Sequence, residues 1–207
     1  MENQNHAFNY AYLLKQVKAR VLLAQKKAIY TANEEMLSMY WDIGKLLSES
    51  QKQIGWGNNA LEKLANDLKN DYPEMKGFSV RNCQFMIQFY NEYNQQLTNT
   101  KRAVSYLNNN EIVLPISKLG WSHNITLMQR TKDIKARYWY MIQCLKNGWS
   151  RDFLIEAIKQ DYYHSHGALA SNFDTTLPEI QAKQVKETLK DPYIFDMLTF
   201  TEEYDER

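Results

Sequence analysis

The chain has 207 residues, of which 44% are hydrophobic and 13% aromatic, a composition that is ordinary for a globular protein. It contains only 7 glycines and 4 prolines, which favours a fold built mainly from helices. No apolar run approaches the roughly 20 residues needed to cross a bilayer. The polar N-terminus does not have the pattern of a secretory signal. We therefore predict an all-α cytoplasmic protein without a membrane segment.

The net charge of +1 conceals an uneven distribution of charged residues. Residues 76–151 carry 11 Lys/Arg against 3 Asp/Glu, whereas residues 152–207 carry 5 against 12. A basic segment of this kind is expected where a protein binds phosphate groups. The alternative is that the acidic C-terminal part folds back and neutralises the basic part within one molecule.

The first predicted unit, residues 1–55, consists of helices that would serve as a scaffold or a dimerisation surface. An amphipathic helix is predicted over residues 8–30, and Thr31 with Glu34 resembles a capping box that would start a second helix. The two segments could also form one bent rod. Gly44 costs about 1 kcal/mol relative to alanine inside a helix, so we expect it to mark close helix packing. The apolar stripe of the first helix consists of Tyr10, Leu14, Val17, Val21, Ala24 and Ala28.

The second predicted unit, residues 56–118, is a helix-turn-helix. Its first helix has apolar residues at helical spacing, and Pro73 and Gly77 end it and supply the turn. Ser79 is placed to cap a second helix that runs to Leu97. Cys83 lies on the apolar side of that helix and is expected to be a reduced core thiol, as is Cys144 further along the chain. Thr98–Asn110 would be a loop or the base of a small β-wing, with a short edge strand over residues 111–116.

The second helix of this unit carries side chains that suit contact with DNA. Arginine can bind guanine and the amides can bind adenine in a major groove, so Arg81, Asn82, Gln84 and Gln88 are expected to face bases. Phosphate contacts would fix position, not sequence. They are assigned to Lys76, Ser79, Lys101, Arg102 and Arg151. The alternative is an ordinary two-helix hairpin with a solvated amide face.

The third predicted unit, residues 119–190, is a second helical part that resembles a helix-turn-helix. Its helices are expected at Ile134–Lys146 and Arg151–Tyr163, joined by a turn at Asn147–Gly148. A Gly-aromatic-Ser pattern precedes three predicted helices, at residues 77–79, 120–122 and 148–150. We interpret each case in the same way: glycine turns the backbone, serine caps the helix, and the aromatic side chain packs under its first turn.

No catalytic constellation, cofactor motif or metal site is recognisable in the sequence. There is no phosphate-binding glycine loop, and no Ser/His/Asp order stands out. His164 and His166 could chelate a metal, but they lack companion ligands, so they are expected to lie in a surface loop. This part of the chain is therefore not expected to be an enzyme.

The order of several short motifs resembles the N-terminal region of the YhcG-type proteins of bacteria. The matching segments cover nearly the whole chain: Asn33 with Tyr40-Trp41-Asp42-Ile43-Gly44-Lys45, Trp56-Gly57, Leu64-Ala65-Asn66-Asp67-Leu68, Gly77-Phe78-Ser79-Val80-Arg81-Asn82, Phe89-Tyr90, Trp121-Ser122-His123, Trp149-Ser150-Arg151 and Asp191-Pro192-Tyr193-Ile194-Phe195-Asp196. Cys83 departs from the expected leucine but remains apolar.

The resemblance implies a DNA-binding or targeting module that precedes a PD-(D/E)xK nuclease domain. Residues 191–207 would then be a linker towards that domain, and the partners would be duplex DNA, the nuclease domain and, in one version, a second copy. The competing hypothesis is a protein-interaction or homodimerisation module with no direct nucleic-acid contact.

Overall fold

The computed structural model describes residues 2–54, 58–99, 115–167, 187–188 and 190–194. All regular secondary structure within these residues is helical, which confirms the all-α class. Short 3-10 turns precede α3 and α4, and a π-helical turn follows α6. No helix in these ranges is long and apolar enough to cross a membrane. The helices are α1 (Glu2–Ile54), α2 (Asn58–Asp71), α3 (Val80–Asn99), α4 (Trp121–Arg130), α5 (Ile134–Asn147) and α6 (Arg151–Lys159).

The N-terminal unit is one helix, so the predicted start of a second helix at Thr31 is wrong and the rod alternative is correct. Helix α1 has 53 residues, which corresponds to about 80 Å. No glycine or proline occurs before Gly44, so nothing in the backbone interrupts it. Its C-terminal part packs on the other helices through buried residues such as Met36, Tyr40 and Leu47.

Helices α1 and α3 approach each other closely at Gly44. A Cβ atom added there would lie 2.1 Å from the carbonyl oxygen of Met86, so the packing leaves no room for a side chain. This confirms that Gly44 marks a close helix contact. Nearby, the Trp41 ring packs edge-on against Phe89 and Tyr90, with centroid separations of 5.5 and 5.2 Å.

The centre of the core is aromatic. Trp121 at the start of α4 contacts the rings of Tyr40 and Phe89, with centroids 5.0 and 5.1 Å apart. Asn33 ties α1 to the turn before α4, because its Nδ2 donates to the carbonyl oxygens of Ser117 (2.8 Å) and Leu119 (3.1 Å). The core therefore joins α1, α3 and α4 into one packed unit.

Both cysteines are buried free thiols, as predicted. They lie in separate hydrophobic clusters, Cys83 with Leu47 and Leu61, and Cys144 in the main core. Burial raises the pKa of both thiols above the usual value. Both groups are therefore protonated and unreactive in the folded chain.

Two predicted element boundaries need correction. Ile116, expected at the end of an edge strand, begins the 3-10 turn Ile116–Lys118. Residues 100–114, which include the rest of the predicted wing, lie outside the described residues. Helix α6 ends at Lys159 and does not reach Tyr163, because Asp161 adopts a left-handed conformation with φ of 52°.

Candidate nucleic-acid interface

The N-terminal end of α3 presents two of the predicted base-contacting residues to solvent. Ser79 caps the helix as expected, since its Oγ accepts a hydrogen bond from the backbone N–H of Asn82 at 3.3 Å. Arg81, in the first turn of α3, and Gln84, at the start of the second turn, are both exposed. The Arg81 guanidinium lies 5.5 Å from the centre of the Phe85 ring, which supports its position by a cation–π contact.

Asn82 is a structural residue, not a surface residue. It is 1% exposed, its Nδ2 donates to the carbonyl oxygen of Gly77 at 2.6 Å, and its Oδ1 accepts from the indole nitrogen of Trp121 at 2.7 Å. Both ends of the amide are occupied, so in this fold Asn82 does not face bases as we expected. The sequence signal was its spacing, since Asn82 stands four residues before Met86 on the stripe that continues to Tyr93.

Gln88 is half-buried and belongs to a charged network. Its Nε2 donates to Glu92 at 2.6 Å, and the other carboxylate oxygen of Glu92 lies 2.9 Å from the guanidinium of Arg137. Arg137 is 2% exposed and also donates to the carbonyl oxygen of Thr131 at 2.7 Å. One arginine of the basic segment is therefore buried and paired, and it does not contribute to the charge of the surface. Lys118 is paired as well, with Glu34 of α1.

The predicted second helix-turn-helix order is present in α5 and α6. Gly148 ends α5 in the left-handed conformation, with φ of 60°. Ser150 caps α6, because its Oγ accepts from the backbone N–H of Phe153 at 3.2 Å. The Trp149 ring packs against Phe153 at 4.9 Å between centroids. Arg151 is the first residue of α6 and is exposed.

The start of α3, the start of α4 and the start of α6 all border one cleft of about 490 Å³. Its lining contains residues from all three Gly-aromatic-Ser turns and from the Asp-Pro-Tyr segment near the end of the described chain. Four of the motifs on which the family resemblance rests therefore meet at one place. The residues that these motifs contribute are Ser79, Arg81, Asn82, Ser122, His123, Ser150, Arg151, Asp191, Pro192 and Tyr193.

The three turns are joined to one another by hydrogen bonds from buried side chains. Asn82 joins the first turn to the second through Trp121. His123 joins the second to the third, since its Nε2 lies 3.0 Å from the carbonyl oxygen of Trp149. Because a carbonyl oxygen only accepts, this ring nitrogen carries the hydrogen. Burial lowers the pKa of His123, which keeps the ring neutral and makes it a structural donor.

We had expected all three Gly-aromatic-Ser turns to be built in the same way, but the second turn is capped differently. At the second turn Gly120 is the N-cap, and Ser122 lies inside α4. Asp191 supplies the missing cap by accepting from both the backbone N–H and the Oγ of Ser122 at 2.8 Å. A Cβ at Gly120 would lie 2.5 Å from that carboxylate, whereas a Cβ at Gly77 would meet the Tyr40 hydroxyl at 2.7 Å.

The charges around the cleft are mixed. Lys190 pairs with Glu187 at 2.9 Å, and Asp191 is occupied by Ser122. Arg81 and Arg151 are exposed at the starts of two different helices that border the cleft. The predicted phosphate contact Lys76 lies in the 3-10 turn before α3, but its side chain is outside the described residues. Lys101 and Arg102 are outside them altogether.

The described residues contain no group of three or more His, Cys, Asp or Glu that could hold a metal ion. His164 and His166 are exposed in the turn that follows α6, as expected for a surface segment. The Nδ1 of His164 lies 2.7 Å from Asp161, its neighbour on the same turn.

The described residues form an all-helical domain in which α2 and α3 are joined by one turn, α5 and α6 by another, and α4 lies between the two pairs. The chain belongs to the DUF1016 N-terminal domain family, whose model matches residues 16–165. The match confirms the resemblance to the N-terminal region of the YhcG-type proteins. Comparison with curated proteins and with solved structures gives no match.

Proposed function

We propose that the chain binds duplex DNA through the exposed residues at the starts of α3 and α6, which form one face beside the cleft. The chain would act as the targeting module of a nuclease-family protein. Arg81 and Gln84 contact base edges, and Ser79 and Arg151 contact phosphates. Asn82 is left out of the contact set because it is buried, and Gln88 because its amide is held by Glu92.

The observation that supports this proposal is the common location of the two helix starts. Helices α3 and α6 both begin at the cleft, each with a capping serine and an exposed arginine in its first turn. The N-terminus of a helix attracts anions, because its free N–H groups and the helix dipole favour negative charge. In helix-turn-helix proteins the N-terminal residues of the second helix contact bases.

The face is also well ordered for binding. The capping hydrogen bond of Ser79 and the amide of Asn82 fix the first turn of α3 against α4. Arg81 is therefore presented from a rigid turn, which reduces the entropy lost when it is immobilised on DNA. The basic segment, residues 76–151, contributes less surface charge than its sequence implies, because Arg137 and Lys118 are paired internally.

The test is fluorescence anisotropy with a labelled duplex over a salt series, followed by selection of the preferred sequence. Arg81→Ala with Gln84→Ala is expected to weaken binding to the selected site about 10- to 100-fold and to reduce sequence preference. Arg151→Ala is expected to weaken all duplexes to a similar extent and to lower the salt dependence by about one counterion.

Arg130→Ala is the matched control. Arg130 is an exposed arginine at the end of α4 that does not line the cleft, although its neighbour Gln129 does. It changes the net charge by the same amount, and we expect a smaller effect than at Arg151. No binding at low salt, or equal losses for Arg130→Ala and Arg151→Ala, would contradict the proposal and favour the protein-interaction hypothesis.

A further inference from the structure

The N-terminal part of α1 carries a set of large apolar side chains that face solvent. Eight of them, between Tyr10 and Leu23, are 36% to 66% exposed in the described structure. Single exposed apolar residues are common, but a continuous exposed apolar surface marks a binding site in most soluble proteins. We call residues 10–32 of α1 the arm.

The apolar residues on one side of the arm follow a heptad repeat. The spacing alternates between four and three residues for three heptads, which is the pattern of a two-stranded coiled coil and differs from that of a helix packed on a globular core. The side chains of this seam are Tyr10, Leu14, Val17, Val21, Ala24, Ala28 and Thr31.

The seam lies on the side of α1 that faces away from the rest of the molecule. Its register continues through Glu35, Ser38 and Asp42, all of which are exposed. We call the helices that pack against the C-terminal part of α1 the body. The residues of α1 that are buried against the body, such as Met36 and Tyr40, occupy the heptad positions opposite the seam. A second helix can therefore pair with the seam without meeting the body of its own chain.

The charges beside the seam distinguish between the two directions of pairing. Residues 3–33 contain five Lys/Arg and no Asp/Glu, and Lys18, Arg20 and Lys27 flank the seam. In a parallel pair of identical arms, Arg20 of one copy lies opposite Gln25 of the other, and Lys27 lies opposite Ala32. In the antiparallel register that packs Leu14 against Ala24 of the other copy, Lys18 and Arg20 would each lie opposite its own equivalent, which is unfavourable.

We propose that the arm forms a parallel, in-register coiled coil with the arm of a second copy of this chain. The bodies then lie on the outer sides of the coiled coil, because each body is opposite the seam. This inference does not depend on DNA binding, since the arm contributes no residue to the cleft.

The affinity of the two arms for each other is expected to depend on salt. Two arms that carry only positive charge repel each other, and salt screens this repulsion. The dimer is therefore expected to become tighter as salt is added. Binding to an acidic protein, to nucleic acid or to an anionic membrane surface would instead become weaker.

The test compares the full chain with two adjacent substitutions by sedimentation equilibrium. Val21 and Leu22 are 51% and 49% exposed, but only Val21 lies in the seam. Val21→Lys is expected to weaken the dimer about 100-fold, because both copies lose a buried side chain and gain a charge at the interface. Leu22→Lys is the control and is expected to leave the dissociation constant within about threefold of the original.

A disulfide test determines the direction of pairing. Ala24→Cys in a parallel dimer places two equivalent thiols side by side, within the Cβ separation of about 4 Å that a disulfide needs. In that antiparallel register, where Ala24 packs against Leu14 of the other copy, the two copies of residue 24 are about 15 Å apart along the axis. Ala19→Cys, outside the seam, is the control, and the native thiols of Cys83 and Cys144 are buried and do not compete.

A dimer of twice 24.5 kDa that tightens with salt, separates with Val21→Lys and cross-links only through residue 24 supports the proposal. Each of the following results would overturn it: a monomer at all concentrations, equal effects of the two lysine substitutions, cross-linking through residue 19 alone, or self-association that weakens with salt. Circular dichroism checks that each variant keeps its helices.

Discussion

Gly44→Ala is expected to destabilise the protein, although alanine is the better residue for a helix. Gly44 lies inside α1, where replacing glycine by alanine gains about 1 kcal/mol in an exposed helix. The added Cβ, however, would lie 2.1 Å from the carbonyl oxygen of Met86 and 2.7 Å from its carbon, both of which are backbone atoms of α3. Backbone atoms cannot rotate away, so the two helices must separate by about 1 Å.

The two effects can be weighed against each other. Inserting a methyl group into a packed interface costs about 1–3 kcal/mol, and more where the backbone has to shift. Because backbone atoms of α3 have to shift here, the cost lies in the upper part of that range, about 2–3 kcal/mol. Subtracting the gain of about 1 kcal/mol in helix propensity leaves a net loss of roughly 1–2 kcal/mol. For a chain of this size that corresponds to a fall in Tm of about 2–8 °C.

Urea unfolding followed by circular dichroism measures this change. Ser38→Ala is the control, because Ser38 is exposed on the same helix and its replacement is expected to change stability by no more than about 0.5 kcal/mol. If Gly44→Ala is as stable as the original chain, or more stable, then helix propensity outweighs packing and the close approach of α1 and α3 is refuted.

Three further predictions concern buried polar groups. Asn82→Ala is expected to destabilise the fold by about 2–4 kcal/mol in urea unfolding, because it leaves the Trp121 indole N–H and a backbone carbonyl without partners. The pKa of His123 is lowered by burial below the value of 6.5, so its contribution to stability is present above about pH 6.5 and declines as the pH falls towards the folded-state pKa. The loss of stability between about pH 7.5 and about pH 5.5 should therefore be smaller in His123→Gln than in the original chain. The thiol of Cys144, whose pKa is raised by burial, should react with a thiol reagent in denaturant and not in the native state.

For each of these three predictions, one result would contradict it. Asn82→Ala with unchanged stability would mean that the amide bridges nothing, and Asn147→Ala, at an exposed amide of α5, is its control. An equal pH dependence in His123→Gln and the original chain would show that His123 is accessible to protons. Rapid labelling of native Cys144 would show that the core opens easily in this region.

The sequence was sufficient to predict the elements that depend on local interactions. The turn between α2 and α3 follows from Pro73, Gly77 and the capping Ser79, all within one short segment. The start of α6 follows in the same way from Ser150. The capping box at Thr31 failed because it is a weak local signal. A helix continues past such a signal when no glycine or proline interrupts it and its next turns are buried, as they are from Asn33 onwards.

The contacts that build the cleft could not be predicted, because they join distant parts of the chain. Asn82 and Trp121 are separated by 39 residues, and Ser122 and Asp191 by 69. From composition alone an asparagine beside an exposed arginine resembles a polar surface residue. Whether it is buried depends on a partner that local patterns do not specify. Arg81 and Gln84 are exposed, as a surface contact requires, but their contact with DNA stays a prediction.

The same hydrogen bonds explain why the motifs of the family resemblance meet at one place. Trp121 and His123 lie two residues apart at the start of α4, and they bind the first and the third turn, respectively. Helix α4, with only 10 residues, thus connects the start of α3 to the start of α6. These bonds link the first turns of α3 and α6 through α4, so we expect the core to set the spacing between Arg81 and Arg151. A ligand that contacts both arginines recognises that fixed spacing and does not have to order two separate loops.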